Sequence, residues 1–349
     1  MATKRDHDGS DAENDSGEET YSMVDVLAEQ KELEESASAV LGASDDKNCT
    51  YLMGYVSRQA LYACTTCYKN GGKGPIGVCL ACCLECHDGH ELVELYTKRN
   101  FRCDCGNSKF QKGFECKLMN KKQPLNHDNV YNQNFEGKYC TCERPYPDPE
   151  DNTEDEMIQC TVCEDWYHGR HLGSKAPPDF SEMVCDSCMM RLGFLWPYRL
   201  PNESVTVDDE CLYDVLKKQM SEAEKIVAGF FSKEWRSRLC RCAKCSTMYD
   251  EAKVAFLTDE NDSVTAYEER GRLEGKSQYD KGMEELSKMD RTKQVELMQD
   301  YHDMKTELKD YLEGFASSGK VVTKDDISQF FETMKGRKRQ RVEIPLNCR

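Results

Sequence analysis

Short-spaced pairs of cysteine and histidine are the residues of this chain best suited to chemistry. The sequence has 21 cysteines in 349 residues, and most of them are separated from another cysteine by only one or two intervening residues. Histidines repeat this short spacing at His87 and His90 and at His168 and His171. Two ligands so close in sequence can bind one tetrahedral zinc ion. The pattern therefore predicts zinc as the cofactor.

A disulfide framework is the alternative use of so many thiols, and it would require an oxidising compartment. The first residues, MATKRDHDGSDAENDSGEET, have no apolar core for a secretory signal. The chain also lacks the run of about 18 apolar residues that a membrane span needs. Mixed pairs of cysteine and histidine have no function in a disulfide framework. We therefore favour zinc and expect no membrane partner.

Composition indicates several small modules. Only 38% of the residues are hydrophobic and 32% are charged, so a single large core is not expected. A structural zinc ion contributes about 10–16 kcal/mol to folding, which is enough to stabilise a small module. The net charge of -17 favours basic partners such as histone tails and disfavours sequence-specific binding to nucleic acid.

The elements that position the ligands begin after an acidic tail at residues 1–21, which we expect to be disordered. An amphipathic helix is predicted over residues 22–42, where Ser22 and Asp25 resemble a capping box and Gly42 offers a stop. This helix either packs on the next module or binds a partner helix.

A first zinc module is predicted over residues 45–118. Its candidate ligands are Cys49, Cys64, Cys67, Cys79, Cys82, Cys86, His87, His90, Cys103, Cys105 and Cys116. Three tetrahedral ions need more ligand positions than these residues supply, so one thiolate must bridge two ions. Cys64, Cys67, His87 and His90 form a natural set for one ion, and Cys83 is left over.

This order of ligands, with GVCLACCLECHDGH and the C-D-C-G motif at Cys103, resembles the UBR box of ubiquitin ligases that recognise protein N-termini. The resemblance implies that Asp104 binds a peptide N-terminus. Asn70 and Asn107 stand where boxes specific for basic N-termini have aspartates, which removes charge-assisted hydrogen bonds from an N-degron pocket. The last histidine of the family is also missing, and Cys79 is the candidate for its place.

A second zinc module is predicted over residues 138–192, after a polar linker at residues 119–137. Its ligands form four pairs and resemble a PHD finger. The resemblance implies a cross-brace in which alternate pairs bind each ion. One ion takes Cys140, Cys142, His168 and His171, and the other takes Cys160, Cys163, Cys185 and Cys188. His171 stands where the family usually has cysteine.

The resemblance to PHD fingers also implies a peptide site. Tyr139, Met157 and Trp166 occupy positions that wall a cage for methylated lysine in similar fingers, because aromatic faces attract such cations. Asp155 lies in an acidic run that could meet basic residues of a histone tail added as a strand. The alternatives are a packing function for Trp166 and a RING-like surface for a ubiquitin-conjugating enzyme.

A helical region is predicted over residues 205–334, with one helix at 208–231 and a long apolar seam from Leu297 to Phe315. The seam serves either packing within the chain or a homodimeric coiled coil. A basic tail at residues 335–349 suits nuclear import, contact with nucleic acid or simple solvation.

This region also contains a third group of thiols. Cys240, Cys242 and Cys245 form a knuckle that needs a fourth ligand. Cys211 is the first candidate and His302 the second, and buried free thiols are the alternative.

The fold class is thus small zinc-stabilised modules, a UBR box and a PHD-type cross-brace finger, followed by an α-helical C-terminal region. Resemblance to UBR-family proteins that carry both modules implies a nuclear, and also cytoplasmic, ubiquitin-protein ligase that binds histone tails. We find no catalytic residue, because no cysteine has the features of a ubiquitin-accepting thiol; transfer would be by proximity to a ubiquitin-conjugating enzyme. The alternatives are a non-catalytic histone reader, a histone-chaperone adaptor, or an N-degron receptor.

Overall fold

The structure is a computed structural model that describes residues 21–151, 153, 155–199, 210–219, 227–275 and 278–342. The predicted acidic tail lies outside these residues, apart from Tyr21, as do Glu154 and the last residues of the predicted basic tail. The chain divides into a larger unit, Glu34–Gly275, and a smaller unit formed by Met1–Leu33 and Lys276–Arg349. Within the described residues, no helix has the length and apolar character needed to cross a membrane.

The strands all lie in the larger unit. They are β1 (Val56–Cys64), β2 (Gly77–Cys79), β3 (Leu92–Phe101), β4 (Met157–Gln159), β5 (Trp166–His168), β6 (Glu182–Val184) and β7 (Gly229–Phe231). The helices are α1 (Met23–Leu41), α2 (Thr65–Lys69), α3 (Leu80–Cys86), α4 (Asp186–Arg191), α5 (Leu212–Lys218), α6 (Ala243–Glu251), α7 (Val264–Glu274), α8 (Gln278–Ser287), α9 (Arg291–Ser318) and α10 (Lys324–Val342).

The first zinc module is built on an antiparallel sheet of order β2-β1-β3. Leu61, Leu95 and Phe101 are buried under this sheet together with Phe135. Phe135 comes from the segment that the sequence predicts to be a polar linker, and its ring stacks on Phe101 at 5.7 Å. Part of residues 119–137 therefore packs on the first module, because aromatic side chains can pack without any periodic pattern.

The second zinc module is built on two short antiparallel strand pairs, and the second pair is completed by β7, which lies outside residues 138–192. β4 pairs with β5, and β6 pairs with β7. The second pairing contradicts the single helix predicted over residues 208–231: α5 is short, and Gly229–Phe231 is a strand. The residues 220–226 lie outside the described part of the chain. Tertiary context overrides local helix propensity here, because the edge of β6 is available for pairing.

The second module shares one core with the chain that follows it. Met183, Leu195, Trp235, Tyr249 and Leu257 are buried in the same apolar cluster. The Glu182 carboxylate accepts hydrogen bonds from the Arg236 Nε, at 2.7 Å, and from the Trp235 indole, at 2.6 Å. Burial acts to raise the pKa of Glu182, but these bonds hold it below its usual value.

A buried ionic network joins the first module to the second and to the chain before α7. Arg58, on β1, lies 3.3 Å from the Glu164 carboxylate and 3.5 Å from the Asp262 carboxylate. Arg99, on β3, lies 2.6 Å from the same Asp262. Neighbouring Lys98 donates to the Glu164 carbonyl at 2.7 Å, and burial lowers its pKa. These contacts explain why both modules belong to one compact unit.

The end of α1 packs closely on α7. A side chain at Gly42 would lie 2.0 Å from the Gly271 carbonyl oxygen, so the two backbones touch where both residues are glycine. The Tyr267 hydroxyl donates to the Val40 carbonyl at 2.8 Å. The second half of α1 therefore covers part of the larger unit.

The smaller unit contains α8, α9 and α10. The predicted seam on α9 is divided: Leu308, Leu312 and Phe315 line an apolar groove with residues of α10, whereas Leu297 and Tyr301 are exposed. A capping box of Thr323 and Asp326 precedes the body of α10, with Asp326 N donating to Thr323 Oγ1 at 3.3 Å. α10 runs to Val342 and thus continues into the segment predicted to be a basic tail.

Candidate metal centres and binding cavity

Many of the candidate zinc ligands lie at the beginning of a short helix. N-cap cysteines precede α2, α3, α4, α5 and α6; they are Cys64, Cys79, Cys185, Cys211 and Cys242. In all but α5, a second cysteine follows three residues later, which places both thiols on one side of the first turn. The Cys67 amide donates to the Cys64 sulfur at 3.4 Å, as in a capping interaction. The Cys-x-x-Cys spacing thus becomes one face of a helix N-terminus.

The mixed site of the first module has the dimensions of a zinc tetrahedron. The Cys64 sulfur lies 3.4 Å from His90 Nδ1, and the Cys67 sulfur lies 3.6 Å from His87 Nδ1. The two Nδ1 atoms are 3.3 Å apart. Zinc bonds to sulfur and nitrogen imply ligand separations of about 3.3–3.8 Å. These four residues, predicted as one set, therefore fit a single zinc ion.

The remaining ligands of the first module form two clusters that share Cys82. One cluster contains Cys49, Cys79, Cys82 and Cys103, and the other contains Cys82, Cys86, Cys105 and Cys116. The Cys82 and Cys116 sulfurs are 3.6 Å apart. Lys122 Nζ lies 3.2 Å from the Cys49 sulfur, where its charge offsets that of the thiolates. The geometry assigns the bridging position to Cys82 and brings Cys79 into the paired site.

The second module brings its ligands together in a cross-brace. One cluster contains Cys140, Cys142, His168 and His171, and the other contains Cys160, Cys163, Cys185 and Cys188. The Cys140 sulfur lies 3.4 Å from His171 Nδ1, so this histidine takes a ligand position of the cluster. The first cluster joins β5 to the chain before β4, and the second joins the β4–β5 turn to α4. Two zinc ions bound there would therefore hold the module together.

The C-terminal knuckle acquires its fourth thiol from α5. The Cys211 sulfur lies 3.8 Å from the Cys240 sulfur, 3.8 Å from the Cys242 sulfur and 3.5 Å from the Cys245 sulfur. These separations suit a Cys₄ zinc site. His302, the second candidate, lies on α9. The thiol of Cys211 is the fourth ligand that these distances support.

Asp104 is enclosed by the first module. Its side chain has no solvent exposure, and burial raises the pKa of its carboxyl. The carboxylate accepts hydrogen bonds from the Gly77 amide, from the side-chain amides of Asn107, Asn126 and Asn129, and from the Tyr131 hydroxyl. Three of these donors come from the segment predicted to be a linker. This arrangement differs from the expected contact with a peptide N-terminus, because the carboxylate has no open side here.

An internal ammonium group also lies beside Asp104. Lys109 Nζ is 4.0 Å from the Asp104 carboxylate, donates to the Pro75 carbonyl at 2.6 Å and lies 3.3 Å from the centre of the Tyr131 ring. A carboxylate, a carbonyl and an aromatic face are the partners that an N-terminal ammonium would need. In this structure the ammonium group of Lys109 already contacts all three of these partners.

The second module also borders a cavity of about 320 Å³ that Met157 and Trp166 line, as do Glu156 and Phe180. Met157 and Trp166 stand on neighbouring strands, β4 and β5. Glu156 is exposed at the cavity, whereas the side chains of Trp166 and Phe180 are half-buried. The cavity thus combines apolar and aromatic walls with an acidic group, a combination that suits a cationic side chain.

Two predicted peptide-binding residues lie elsewhere. Tyr139 is not among the residues that line the cavity, and its amide donates to the Arg144 carbonyl at 2.9 Å. The Asp155 carboxylate lies 3.6 Å from Arg170 Nε, so it already has a cationic partner in the chain. Of the four residues predicted to bind a histone peptide, Met157 and Trp166 line the cavity in this structure.

The zinc clusters, the three-stranded sheet and the cross-braced finger together define a protein that combines a UBR box with a PHD finger. Three family models agree with this class. "Putative zinc finger in N-recognin (UBR box)" matches residues 48–119, "UBR7-like PHD finger" matches 134–199, and "UBR7 C-terminal region" matches 282–342. Both zinc modules are zinc-binding domains, so the predicted cofactor is confirmed.

Whole-chain relatives identify the family. The mouse protein named "Putative E3 ubiquitin-protein ligase UBR7" is 45% identical over 93% of this chain and 95% of its own length. Protein mlo2 of Schizosaccharomyces pombe is 34% identical over 87% of this chain and 93% of its own length. The chain belongs to the UBR7 family.

A shorter match comes from a plant protein. "Chromatin remodeling protein EBS" of Arabidopsis thaliana is 38% identical over 52 residues, which cover 14% of this chain and 20% of that protein. No solved structure matches the chain.

Proposed function

We propose that this chain is a ubiquitin-protein ligase of the scaffold type, which recognises histone tails through its PHD finger and directs ubiquitin to a histone lysine. The names of its UBR7 relatives support the ligase class. The similarity of a short stretch to a chromatin remodelling protein supports a chromatin ligand. The net charge of -17 suits a basic tail.

The main support for recognition of a histone tail is that β4 is an edge strand beside the cavity. β4 and β5 form a two-stranded sheet. Among the described residues, no further strand pairs along Met157–Gln159, and a bridge to β6 begins only after the strand, where Cys160 pairs with Met183. A peptide can add to such an edge as a strand, with its side chains filling adjacent pockets. The cavity at Trp166 would then receive a lysine side chain of the tail.

Transfer by proximity is the mechanism that the cysteines support. Among the described residues, Cys83 is the cysteine outside the zinc clusters, and it is buried. Thiols committed to zinc cannot also accept ubiquitin as a thioester. The ligase would therefore hold a charged ubiquitin-conjugating enzyme close to the target lysine, which raises the local concentration of the reactants.

We place this function in the nucleus, with a cytoplasmic pool as well. The basic segment Lys335–Arg341 supports nuclear import, because it concentrates positive charge in a short stretch. Fluorescence microscopy of the tagged full chain, with and without neutral substitutions in this segment, tests the assignment. Equal nuclear signal from both proteins would contradict an import function for it.

The central experiment is a reconstituted ubiquitylation assay on mononucleosomes with the zinc-loaded chain and a panel of conjugating enzymes. We expect ubiquitin on a histone, and we expect a Cys160→Ser variant, which loses a finger ligand, to lose this product. If the wild-type chain binds histone tails but transfers no ubiquitin with any enzyme of the panel, the chain is a histone reader or a histone-chaperone adaptor instead.

A function as N-degron receptor is less well supported than histone recognition. Asp104, the acidic residue expected to bind the N-terminus, is enclosed and lies 4.0 Å from Lys109 Nζ. The test compares a peptide that begins with arginine with its N-acetylated form. Preference for the free N-terminus would restore the receptor function, and we expect equal binding.

A further inference from the structure

The cavity at Trp166 reaches beyond the PHD finger. Two of its lining residues lie outside the finger: Tyr96 belongs to β3 of the UBR box, and Glu268 belongs to α7. All three parts of the chain lie in the larger compact unit. The cavity is thus a composite of the UBR box, the finger and the chain that follows.

A β-bulge turns Tyr96 toward the finger. On β1, one residue separates Ala60 from Tyr62, whereas two residues separate their partners Thr97 and Glu94 on β3. The extra residue leaves Tyr96 with a φ of 58°, in the left-handed region that residues other than glycine seldom adopt. Bulges commonly redirect a side chain next to a functional site, and strained backbone of this kind often accompanies function.

The rings of Tyr96 and Trp166 form a corner. Their centroids are 5.5 Å apart and their planes meet at 89°. Both side chains are half-buried, and both line the cavity. Two perpendicular aromatic walls can surround an ammonium group from two directions, which strengthens a cation–π interaction over that of one wall.

Glu268 adds negative charge and fixes the position of the tyrosine. The Tyr96 hydroxyl donates a hydrogen bond to one oxygen of the Glu268 carboxylate. The other oxygen lies 3.2 Å from the exposed guanidinium of Arg272. Arg58, the basic residue of the lining, is already paired with Glu164 and Asp262. The acidic groups Glu156 and Glu268 therefore face the cavity without a buried cation of their own.

We propose that Tyr96 and Glu268 are specificity-determining residues of the peptide site and complete a cage for a methylated lysine side chain. This inference rests on the proposed recognition of a histone tail. Apolar and aromatic walls favour a methylated ammonium group, which is less strongly hydrated than a free one, and the two carboxylates supply charge complementarity. The UBR box thereby contributes to binding through its outer face.

The test measures binding of the full zinc-loaded chain to histone-tail peptides that carry unmodified or trimethylated lysine. We expect Tyr96→Ala to weaken binding of the methylated form by about 2-fold to 30-fold, with a smaller effect on the unmodified form. Glu268→Gln should weaken binding of both forms, since it removes charge. Tyr96→Phe keeps the ring and loses the bond to Glu268, and it should weaken binding less than Tyr96→Ala.

The matched control is Glu269→Gln, the exposed neighbour on the same helix. Zinc content equal to that of the wild type verifies that each variant is folded. Wild-type binding combined with unchanged affinity in Tyr96→Ala and Glu268→Gln would overturn the composite cage. A wild-type chain that binds no peptide of the panel would instead refute the proposed histone recognition, so the two failures are distinguishable.

Discussion

Asp104 illustrates how a residue with an expected binding function can serve the interior of a module. Its carboxylate satisfies donors from Asn126, Asn129 and Tyr131, and it therefore ties residues 119–137 to the UBR box. Buried carboxylates are tolerated when hydrogen bonds replace their hydration. Enclosure by the chain's own amides is the physical reason that the Asp104 carboxylate is closed to solvent in the structure.

We predict that Asp104→Asn lowers the free energy of unfolding of the larger unit by about 2–4 kcal/mol. The substitution places an amide group among donors and removes hydrogen bonds to a charged acceptor, each of which contributes about 1.5–3 kcal/mol. Urea denaturation followed by tryptophan fluorescence measures the change. The control is Asp128→Asn, at an exposed aspartate of the same segment. Equal midpoints for the two variants would contradict an internal anchoring function.

The side chain of Trp166 provides a second test of the function of a single residue. We expect Trp166→Ala to abolish the preference of the chain for methylated over unmodified lysine, since it removes one aromatic wall of the cavity. Trp166→Phe should retain part of that preference. Binding of both peptide forms and zinc content are measured on the same samples. Loss of zinc from Trp166→Ala would indicate that the ring is needed for packing of the finger.

Among the secondary-structure elements, the short helices need the support that bound zinc would supply. α2, α4 and α5 have only one or two turns, which is too short for a stable isolated helix. Each of these helices has a cysteine as its N-cap residue, so a zinc ion bound to that cysteine would fix the first turn.

We predict six zinc ions per chain, one for each of the five Cys and Cys/His clusters and one for the knuckle. Cys211→Ser should lower the content to five, because it removes the thiol that α5 contributes. Cys83→Ser is the control, as Cys83 is buried but belongs to none of these clusters. Inductively coupled plasma mass spectrometry gives the count. A wild-type content of five would show that the knuckle binds no zinc.

At the scale of the larger unit, the ionic network makes the UBR box and the finger one body. Asp262 is buried and lies close to Arg58, Arg99 and Arg236. Breaking a buried ion pair by removing one partner costs about 3–5 kcal/mol, because an uncompensated charge remains. The relative position of Tyr96 and Trp166 therefore depends on residues that contact neither of them.

We expect Asp262→Asn to loosen the junction of the two modules without loss of zinc. Hydrogen exchange should become faster in β1, in β3 and in the β4–β5 turn, while the interior of each module keeps its protection. Hydrogen–deuterium exchange with mass spectrometry measures this difference. The control is Asp250→Asn, at an exposed aspartate of α6. Unchanged exchange in these segments would contradict the function assigned to the network.

The overall charge leads to a prediction for binding. With a net charge of -17, association with a basic histone peptide should weaken as salt rises, since ions screen exposed charges beyond about 10 Å at 0.1 M. We expect the association rate to fall more than the dissociation rate rises, because steering acts on encounter. Stopped-flow measurements over a range of salt concentrations test this, and a salt-independent association rate would contradict it.

Short-range chemistry is the part of this protein that could be predicted from the order of its residues. The candidate zinc ligands and the class of small modules follow from cysteines and histidines a few residues apart, because such spacing lets neighbouring ligands share a metal. The cap of Ser22 and Asp25 at the start of α1 is local for the same reason. The cross-brace pairing in the finger came from the resemblance to PHD fingers, since it joins pairs that are far apart in the chain.

Contacts between residues far apart in the chain became known only from the three-dimensional fold. Asn126 donates a hydrogen bond to Asp104, the sulfurs of Cys211 and Cys245 lie 3.5 Å apart, and the rings of Tyr96 and Trp166 are in contact. These contacts cannot be derived from the spacing of residues in the sequence, since each depends on how distant segments of the chain pack. The sequence therefore indicated which residues bind zinc, whereas packing determined which carboxylate is enclosed and which residues line the cavity.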